Sequence, residues 1–485
     1  MAKNILIFSD GTGQAGGLRP DQRLSNVYKM FRASRVGPDN DIDPKQQIAF
    51  YDAGLGSEQS DKSPGLGIAQ AARKFASSAM GVGIGRNIVD CYEAILKHYE
   101  LGDRIYLIGF SRGAYTARCV AGVIRLCGVP LKMPDGSPLP RSGKALRAIA
   151  EEAVHSVYEH GSGRKRSAFE DERRELARRF RHSYGSDSGG KANAAPYFVG
   201  VFDTVAALGS TGLRRIVMLA GLVLAGLSAS ALGGVLFALA TDWSFWSGLV
   251  ATATALIAVG AWKGIRSRLK VIRGYPNKGD LQWHWTGWRF GNYDTNFDSA
   301  VAFGRHALAI DERRTDFKRV KWGQPSEGDL PKSPEGLERF EQRWFAGNHS
   351  DIGGSYPEDE SRLSDIALQW MVEEAKSLPH PIIVDRNKLR MYPSADGMQH
   401  CEVEALREAY PLWWPNWLRR TWASAPRFEA SGAPYHPTVL ERLKIHTILD
   451  CGKVRPYRPE ALSKDPALAD LYDGDIERSC SATES

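Results

Sequence analysis

The sequence predicts an α/β protein with a doubly wound, mostly parallel sheet and an inserted hairpin of two apolar helices. Short apolar runs alternate along the chain with segments of helical periodicity, and several of the runs end in a turn that contains glycine. This alternation is typical of parallel strands whose two faces are covered by helices. Two long uncharged segments near the middle of the chain break the pattern and indicate the hairpin.

Five short runs bounded by turn residues are the predicted strands, and the first four of them are mainly apolar. They cover residues 5–8, 47–51, 104–108, 197–202 and 341–345. Helical periodicity predicts helices at residues 88–99, 114–126 and 363–375, with polar, Arg-rich helices at about residues 142–183.

Length, charge and cysteine usage limit the classes of protein that fit. A chain of 485 residues exceeds one ordinary core, so we expect one large α/β domain with insertions, or two domains. The net charge of +7 comes from dispersed basic residues, so no nucleic-acid partner is expected. The six cysteines lack ligand or disulfide spacing, and we expect no metal and no cofactor. The first apolar run is too short and too early for a signal peptide. The sequence does not indicate the oligomeric state.

The hairpin is predicted as two membrane spans, at about residues 216–240 and 244–262. At 1.5 Å per residue these reach roughly 37 Å and roughly 28 Å, close to the hydrocarbon thickness of a bilayer. Arg214 and Arg215 precede the first span, basic residues follow the second, and Asp242 and Trp243 lie in the turn. The positive-inside rule then places the body and both termini in the cytoplasm, on the inner membrane. A helical hairpin buried in a soluble core remains the alternative, because Ala and Gly, which favour close helix packing, are frequent in both segments.

A serine flanked by glycines follows the third predicted strand. Gly109-Phe110-Ser111-Arg112-Gly113 matches the G-x-S-x-G nucleophile elbow, with an apolar strand before it and a helix of small residues after it. Side chains at the two glycine positions would clash with neighbouring backbone. The context predicts an α/β-hydrolase fold with Ser111 as the nucleophile, and the alternative is a serine that caps an ordinary helix.

A serine nucleophile needs an acid and a base that follow it in the chain. Asp203 directly follows the fourth predicted strand, which makes it the candidate acid, and its alternative is a turn-forming residue. His349 follows the fifth strand in a glycine-rich loop and is the candidate base. His436 is its main rival, and Asp351 either orients this loop or competes with Asp203 as the acid.

The first strand ends in a second candidate element, Asp10-Gly11-Thr12. A haloacid dehalogenase-type phosphatase would need an aspartate two positions before Asp10, and Phe8 stands there instead. We expect the oxyanion to be stabilised by the backbone N–H of Arg112 with one donor from this turn. A purely structural turn is the alternative.

Six segments together resemble a known family, the α/β-hydrolase domain of type VI secretion lipase effectors, formerly a domain of unknown function. They are Phe8-Ser9-Asp10-Gly11-Thr12, Tyr51-Asp52-Ala53-Gly54-Leu55-Gly56, Gly109-Phe110-Ser111-Arg112-Gly113-Ala114, Gly200-Val201-Phe202-Asp203-Thr204-Val205, Ala307-Leu308-Ala309-Ile310-Asp311-Glu312-Arg313-Arg314 and Trp344-Phe345-Ala346-Gly347-Asn348-His349-Ser350-Asp351-Ile352-Gly353-Gly354. The resemblance covers about residues 4–375. It implies a Ser-Asp-His triad on Ser111, Asp203 and His349, and hydrolysis of ester bonds, of phospholipids in the secreted members.

The sequence departs from these effectors by its hairpin and by the lack of an adaptor or secretion domain, which favours a resident enzyme on the membrane. We expect a membrane-anchored serine esterase or lipase with a lipid substrate. Two alternatives stay open, a non-catalytic scaffold with the same fold and an acyltransferase that uses the same nucleophile.

The expected organisation has four parts. Residues 1–210 and 274–380 form the hydrolase core, residues 211–273 the inserted membrane hairpin, and residues 381–485 a cap or extension of unknown role. In that last part, Trp413, Trp414 and Trp417 fit either the membrane interface or the packing of a cap.

Overall fold

The structure, a computed structural model, describes most of the chain. The described residues are 2–11, 23–54, 84–164, 166–205, 213–241, 244–286, 297–315, 317–323, 332–403, 422–427, 434–463 and 465–472. The predictions for Thr12, Asp242, Trp243 and the tryptophans at 413, 414 and 417 lie outside these residues.

Twelve strands occur in these ranges. In chain order they are β1 (Asn4–Ser9), β2 (Gln47–Asp52), β3 (Arg104–Phe110), β4 (Asp187–Ser188), β5 (Lys191–Ala192), β6 (Pro196–Phe202), β7 (Leu269–Arg273), β8 (Leu281–Trp285), β9 (Phe303–Ala309), β10 (Phe340–Phe345), β11 (Ile448–Asp450) and β12 (Lys453–Arg455).

Eleven α-helices accompany them. They are α1 (Asn26–Ser34), α2 (Ile84–His98), α3 (Arg112–Cys127), α4 (Gly143–Glu151), α5 (Glu170–Tyr184), α6 (Leu213–Ala240), α7 (Phe245–Arg268), α8 (His349–Gly353), α9 (Arg362–Lys376), α10 (Arg386–Leu389) and α11 (Pro437–Lys444). A π-helical segment, Glu152–Val157, and a 3-10 turn, Tyr158–Gly161, lie between α4 and α5.

Six strands form one parallel sheet in the order β10-β9-β6-β3-β1-β2. The prediction of an α/β fold with a mostly parallel sheet is confirmed, and all five predicted strands belong to this sheet. The remaining strands pair as three antiparallel two-stranded ribbons, β4–β5, β7–β8 and β11–β12.

The two faces of the sheet are covered by different helices. Ile5 and Ile7 of β1 pack in a cluster with residues of α2 and α3. Leu6 and Phe8, which alternate with them, pack in a second cluster with α1 and α9. Successive side chains of a strand point to opposite faces, so this division places helices on both sides of the sheet.

The sixth strand of the sheet, β9, was not predicted. It contains Arg305 and His306, which break an apolar run, yet all seven of its residues are buried. Arg305 is paired with Glu374 of α9, and His306 Nδ1 lies 3.1 Å from Gln342 Oε1 of β10. Burial, with Arg118 nearby, lowers the pKa of His306 to about 3, so its imidazole is neutral. Specific partners therefore allow polar residues at the centre of the sheet.

The predicted hairpin is present as α6 and α7, and α7 continues to Arg268, beyond the predicted end of the span. The two helices approach closely at small residues. A Cβ atom on Gly248 would lie 2.6 Å from Phe237 Cβ, and one on Gly233 would lie 2.3 Å from Thr252 Oγ1. Only 11% of Val223–Ala240 and 6% of Phe245–Arg266 is buried. Both helices are long and apolar enough to cross a membrane, and the described residues do not bury them in a protein core.

The C-terminal part packs on the end of the sheet that carries β9 and β10. Val439 and Leu443 of α11 form a third apolar cluster with Leu308 and Trp344. The backbone of Tyr435 also forms a parallel bridge with Trp344. Segments beyond residue 380 are thereby held next to the carboxyl ends of β9 and β10.

Candidate active site

Ser111 lies at a sharp turn between β3 and α3. Its backbone has φ 58° and ψ −121°, a conformation that non-glycine residues seldom adopt. Its N–H donates a hydrogen bond to the carbonyl oxygen of Phe202, 3.1 Å away, so the turn is tied to the end of the neighbouring strand β6. Backbone strain of this kind is concentrated at functional sites.

The two glycines of the motif are required by close backbone contacts. A Cβ atom on Gly109 would lie 2.4 Å from the carbonyl oxygen of Gly113, and one on Gly113 would lie 2.0 Å from that of Ser9. Both distances are far below van der Waals contact, so any side chain would displace the turn. The geometry agrees with the steric reason for the motif.

Asp203 and His349 meet at the same edge of the sheet. Asp203 directly follows β6 and also has a positive φ of 36°. Its Oδ2 lies 2.5 Å from Nδ1 of His349, the first residue of α8, and its Oδ1 accepts a hydrogen bond from the N–H of Ala309 at 3.3 Å. Both side chains are buried, with 0% and 4% of their surfaces exposed.

The second nitrogen of His349 is available for chemistry. Since Nδ1 faces a carboxylate, which only accepts hydrogen bonds, the proton of a neutral imidazole resides on Nδ1 and Nε2 carries a lone pair. Nε2 is buried and has no hydrogen-bond partner among the described residues. The ring contacts Phe110, the residue before Ser111, with a centroid distance of 4.6 Å. His349 Nε2, with its lone pair and its place beside the Ser111 turn, is suited to act as a general base.

Arg427 is a site residue that the sequence analysis missed. Its Nη1 lies 2.7 Å from Asp203 Oδ2, the atom that also faces His349. Burial alone would raise the pKa of Asp203, but the Arg427 guanidinium and the His349 hydrogen bond hold it well below its usual range. The carboxylate therefore stays ionised. Arg427 lies in a segment without a recognisable motif, so no sequence signal pointed to it.

A buried ion pair supports the backbone of His349. Glu312 Oε2 accepts a hydrogen bond of 3.3 Å from the His349 N–H, and Arg314 binds both oxygens of Glu312 at 2.9 and 2.7 Å. The Arg314 guanidinium lies 3.6 Å from the ring centre of Phe317, which in turn contacts His349. Glu312 and Arg314 belong to the 307–314 segment of the family resemblance, but sequence reasoning gave them no role.

Asp351 organises the loop that carries His349. Its Oδ2 accepts a hydrogen bond of 3.0 Å from the N–H of Asn348, and Asn348 Oδ1 accepts one of 3.0 Å from the N–H of Asp351, a capping box. Burial raises the pKa of Asp351, whose Oδ1 lies 2.8 Å from Nδ1 of His400. Of the two candidate acids, the structure places Asp203 at His349 Nδ1 and Asp351 in the cap.

Asp10 occupies a buried turn beside Ser111. Its Oδ2 accepts hydrogen bonds from Ser25 and, at 2.7 Å, from the Tyr51 hydroxyl, and burial raises its pKa to about 6. The N–H of Gly11 donates to Asp10 Oδ1 at 2.7 Å, so this N–H is already engaged. A Cβ atom on Gly11 would lie 3.3 Å from Ser111 Cβ. Within the described residues this turn shapes the wall of the site and supplies no free oxyanion donor from Gly11.

The rival histidine lies in a different environment. His436 is the N-cap of α11, with Nδ1 2.8 Å from Thr438 Oγ1, and its ring stacks on Phe345 at 4.7 Å. Burial lowers the pKa of His436 to about 4. None of its contacts in the described part of the chain involves Asp203, so the structure brings His349, and not His436, to the acid.

The chain is similar in sequence to a known protein family. Residues 3–230 and 251–374 match the sequence model of a family described as the catalytic domain of Tle1-like type VI secretion phospholipase effectors. The unmatched residues 231–250 cover the end of α6 and the start of α7, and Arg427 and His400 lie beyond the matched region. The family resemblance seen in the sequence is confirmed.

Single proteins match over smaller parts of their length. YEL023C, an uncharacterized protein of Saccharomyces cerevisiae, is 27% identical over 217 residues, which are 43% of this chain and 27% of that protein. The crystal structure of an uncharacterized protein from Pseudomonas aeruginosa is 15% identical, with a TM-score of 0.34, and the match covers 81% of this chain and 47% of that one. The Tle1 effector bound to the VgrG spike of the type 6 secretion system is also 15% identical, with a TM-score of 0.30, over 74% of this chain and 52% of that one. The matched region thus spans about a quarter to a half of the length of these relatives.

Proposed function

Because this chain belongs to the family of Tle1-like phospholipase effector catalytic domains, we propose that it is a membrane-anchored serine hydrolase that cleaves ester bonds of lipids, phospholipids in particular. The observation that carries the proposal is the buried Asp203–His349 pair, whose Nδ1–Oδ2 distance is 2.5 Å. His349 Nε2 has no hydrogen-bond partner among the described residues and lies at the sheet edge that holds Ser111. Nucleophile, acid and base follow one another in the chain order of the α/β-hydrolases, as Ser111, Asp203 and His349.

The proposed reaction is acyl transfer in two steps. Ser111 Oγ attacks the acyl carbonyl carbon while His349 Nε2 accepts the hydroxyl proton, and the imidazolium then returns that proton to the leaving alcohol. Water attacks the acyl-enzyme with the same base, which releases the fatty acid and restores Ser111. Asp203, kept ionised by Arg427, stabilises the imidazolium in both steps.

Charge on the carbonyl oxygen would be stabilised at the start of α3. Arg112 is the first residue of this 16-residue helix and directly follows Ser111, the position whose backbone N–H serves as an oxyanion donor in α/β-hydrolases. The positive end of the helix dipole points to the same place. We assign the first oxyanion donor to the Arg112 N–H.

We also propose that α6 and α7 span the inner membrane, with the hydrolase body in the cytoplasm. The apolar surface does not end with the helices, because Leu281, Trp283 and Trp285 of β8 are also exposed on the ribbon that follows α7. Tryptophan is enriched at membrane interfaces, and Arg266 and Arg268 close α7 on the body side. A bilayer around the helices would cover this apolar surface and bring the site to its lipid substrate.

Arginine substitutions distinguish a bilayer from water around the helices. Leu232 and Ile257 are 61% and 72% exposed near the middle of α6 and α7. In lipid, each Leu232→Arg or Ile257→Arg change is expected to cost about 2.5–3.5 kcal/mol, whereas in water an exposed substitution costs less than about 0.5 kcal/mol. Alkaline carbonate extraction should leave the wild type in the membrane pellet and release the double variant.

Leu101→Arg is the matched control, since Leu101 is 71% exposed on the body of the protein, and it should stay in the pellet. A wild type that carbonate extracts, or a double variant that stays in the pellet as firmly as the wild type, would contradict the proposed spans.

The hydrolase proposal is tested with detergent-purified full-length protein and liposomes of mixed phospholipids. We expect release of fatty acids, identified by mass, and covalent labelling by a fluorophosphonate. Labelling with transfer of the acyl chain to an added alcohol, and little free fatty acid, would identify an acyltransferase instead. Neither labelling nor turnover of lipids and short esters would favour a non-catalytic scaffold.

A further inference from the structure

Three potential metal ligands come together outside the candidate active site. They are His160 of the 3-10 turn Tyr158–Gly161, Glu172 in the first turn of α5, and His284 of β8. One ligand atom from each lies within 4.8 Å of the other two. The three residues belong to separate elements, so the tertiary fold assembles the cluster.

The cluster is compact and largely protected from solvent. His160 Nε2 lies 2.6 Å from Glu172 Oε2, and His284 Nδ1 lies 3.8 Å from the same oxygen. The exposed fractions of the side chains are 1% for His160, 14% for Glu172 and 12% for His284. Such a cluster excludes most solvent.

The hydrogen bonds of His284 fix which of its nitrogens carries a proton. Nε2 lies 2.6 Å from the backbone carbonyl oxygen of His160, which only accepts hydrogen bonds, so Nε2 carries the hydrogen. In the neutral ring Nδ1 then has a lone pair, and this lone pair faces the carboxylate of Glu172. The repulsion between these two electron-rich atoms is relieved by a cation between them, which is either a proton on Nδ1 or a metal ion. Donation of the outer N–H to a backbone carbonyl is also the usual orientation of a metal-bound histidine.

We propose that His160 Nε2, the Glu172 carboxylate and His284 Nδ1 bind a divalent transition-metal ion, with Zn²⁺ as the best match. Two imidazoles and one carboxylate are a ligand set that zinc takes in proteins, with water in the fourth position. Ligand atoms of a tetrahedral zinc lie roughly 3.3 Å apart, given bonds of about 2.0–2.2 Å. The observed separations of 2.6 and 3.8 Å bracket this value, so small side-chain rotations would complete the site.

The neighbours of the cluster are compatible with a bound cation. Phe169 stacks on the His284 ring at 3.7 Å and holds its orientation. Lys270, the cross-strand partner of His284, directs its ammonium group to the carbonyl oxygen of His155 at 2.6 Å. Glu159, 2.8 Å from His155 Nδ1, supplies a negative charge on that side. The lysine charge is therefore partly balanced.

The position of the cluster gives the metal a structural role. His284 lies on the ribbon β7–β8, which continues directly from α7, whereas His160 and Glu172 belong to the body of the protein. Along β8, the His284 side chain is largely buried while Trp283 and Trp285 on either side are exposed. A metal at this place would fasten the base of the apolar helical pair to the hydrolase body, independently of the catalytic residues.

The test measures metal binding by the full-length protein in detergent, without a polyhistidine tag. After treatment with a chelator, Zn²⁺ is added, excess is removed, and bound metal is quantified by mass spectrometry. We expect about one equivalent, and a Co²⁺-loaded sample with the visible absorption of four-coordinate cobalt. His284→Ala and Glu172→Gln should each weaken Zn²⁺ binding at least about tenfold.

His182→Ala is the matched control, because His182 is an exposed histidine of the same helix as Glu172. It should bind Zn²⁺ as the wild type does. Zn²⁺ should also raise the Tm of the wild type and of this control, but not that of the two ligand variants. Glu172→Gln keeps a group of the same size, so it tests the site even where His284→Ala folds poorly. Equal Zn²⁺ binding by wild type and Glu172→Gln, or no Zn²⁺ bound by folded wild type, would overturn the proposal.

Discussion

Replacing Ser111 with alanine is expected to lower kcat for lipid ester hydrolysis by about four to six orders of magnitude. The serine oxygen forms the covalent bond to the acyl group, and an alanine methyl group cannot replace it. Residual turnover would come from substrate binding and oxyanion stabilisation alone. The measurement is release of fatty acid from phospholipid liposomes under single-turnover and steady-state conditions, with fluorophosphonate labelling of the same samples.

His349→Ala should cause a similar loss, and the double variant should lose little more, because nucleophile and base act as one unit. His436→Ala is the matched control and should keep near-wild-type activity, since His436 caps α11 away from Asp203. The Ser111→Ala variant should unfold at nearly the wild-type temperature, because alanine occupies the same space at this turn. Activity that survives His349→Ala but is lost in His436→Ala would show that the base is assigned to the wrong histidine.

The sequence predicted those parts of the protein whose signals are local. Around Ser111, an apolar strand, two glycines and a helix of small residues follow one another within about 25 residues, and each is visible in the sequence. Asp203 directly follows an apolar strand, and His349 lies four residues beyond the end of another strand. Because parallel strands end at one edge of the sheet, position after a strand was enough to bring these residues together.

The features that were missed depend on contacts between distant segments. Strand β9 contains Arg305 and His306, whose polar side chains argue against a buried strand. Their burial is explained only by their partners, Glu374 and Gln342, which are distant in the sequence. Arg427 is 224 residues from Asp203 in the chain, and no periodicity or motif marks it. A single sequence does not report such pairings, because they depend on how the chain packs.

The same limit explains why the proposed metal ligands were not recognised in the sequence. His160 and Glu172 are 12 residues apart, but His284 joins them only after the apolar helices return the chain to the body. Ligand spacing along the chain therefore has no recognisable pattern. The cluster appears only when β8 is placed against α5.

Replacing Asp203 with asparagine is expected to lower kcat by about four orders of magnitude while the fold is kept. The carboxylate accepts the Nδ1 hydrogen of His349 and stabilises the imidazolium. An asparagine amide can donate to Nδ1, which would move the imidazole hydrogen to Nε2 and remove the lone pair that takes the serine proton. The measurement is kcat on liposomes together with the Tm. A loss of less than about tenfold in a folded variant would remove Asp203 from the catalytic residues.

Arg427→Gln tests whether the positive charge next to Asp203 keeps this carboxyl group ionised. Burial opposes ionisation of Asp203 and Arg427 favours it, so removing the guanidinium should raise the pKa of this carboxyl group towards its usual range or above. A group with a depressed pKa stabilises the fold above its unfolded-state pKa and loses that contribution as pH falls through the folded-state pKa. The variant should therefore lose stability at a higher pH than the wild type during acid unfolding.

The kcat of Arg427→Gln at neutral pH should also fall by about ten- to hundredfold, since a hydrogen bond to a charged group contributes about 1.5–3 kcal/mol. Arg427→Lys should recover part of both effects because it restores the charge, whereas loss of a purely structural arginine would lower the free energy of unfolding by the same amount at all pH values.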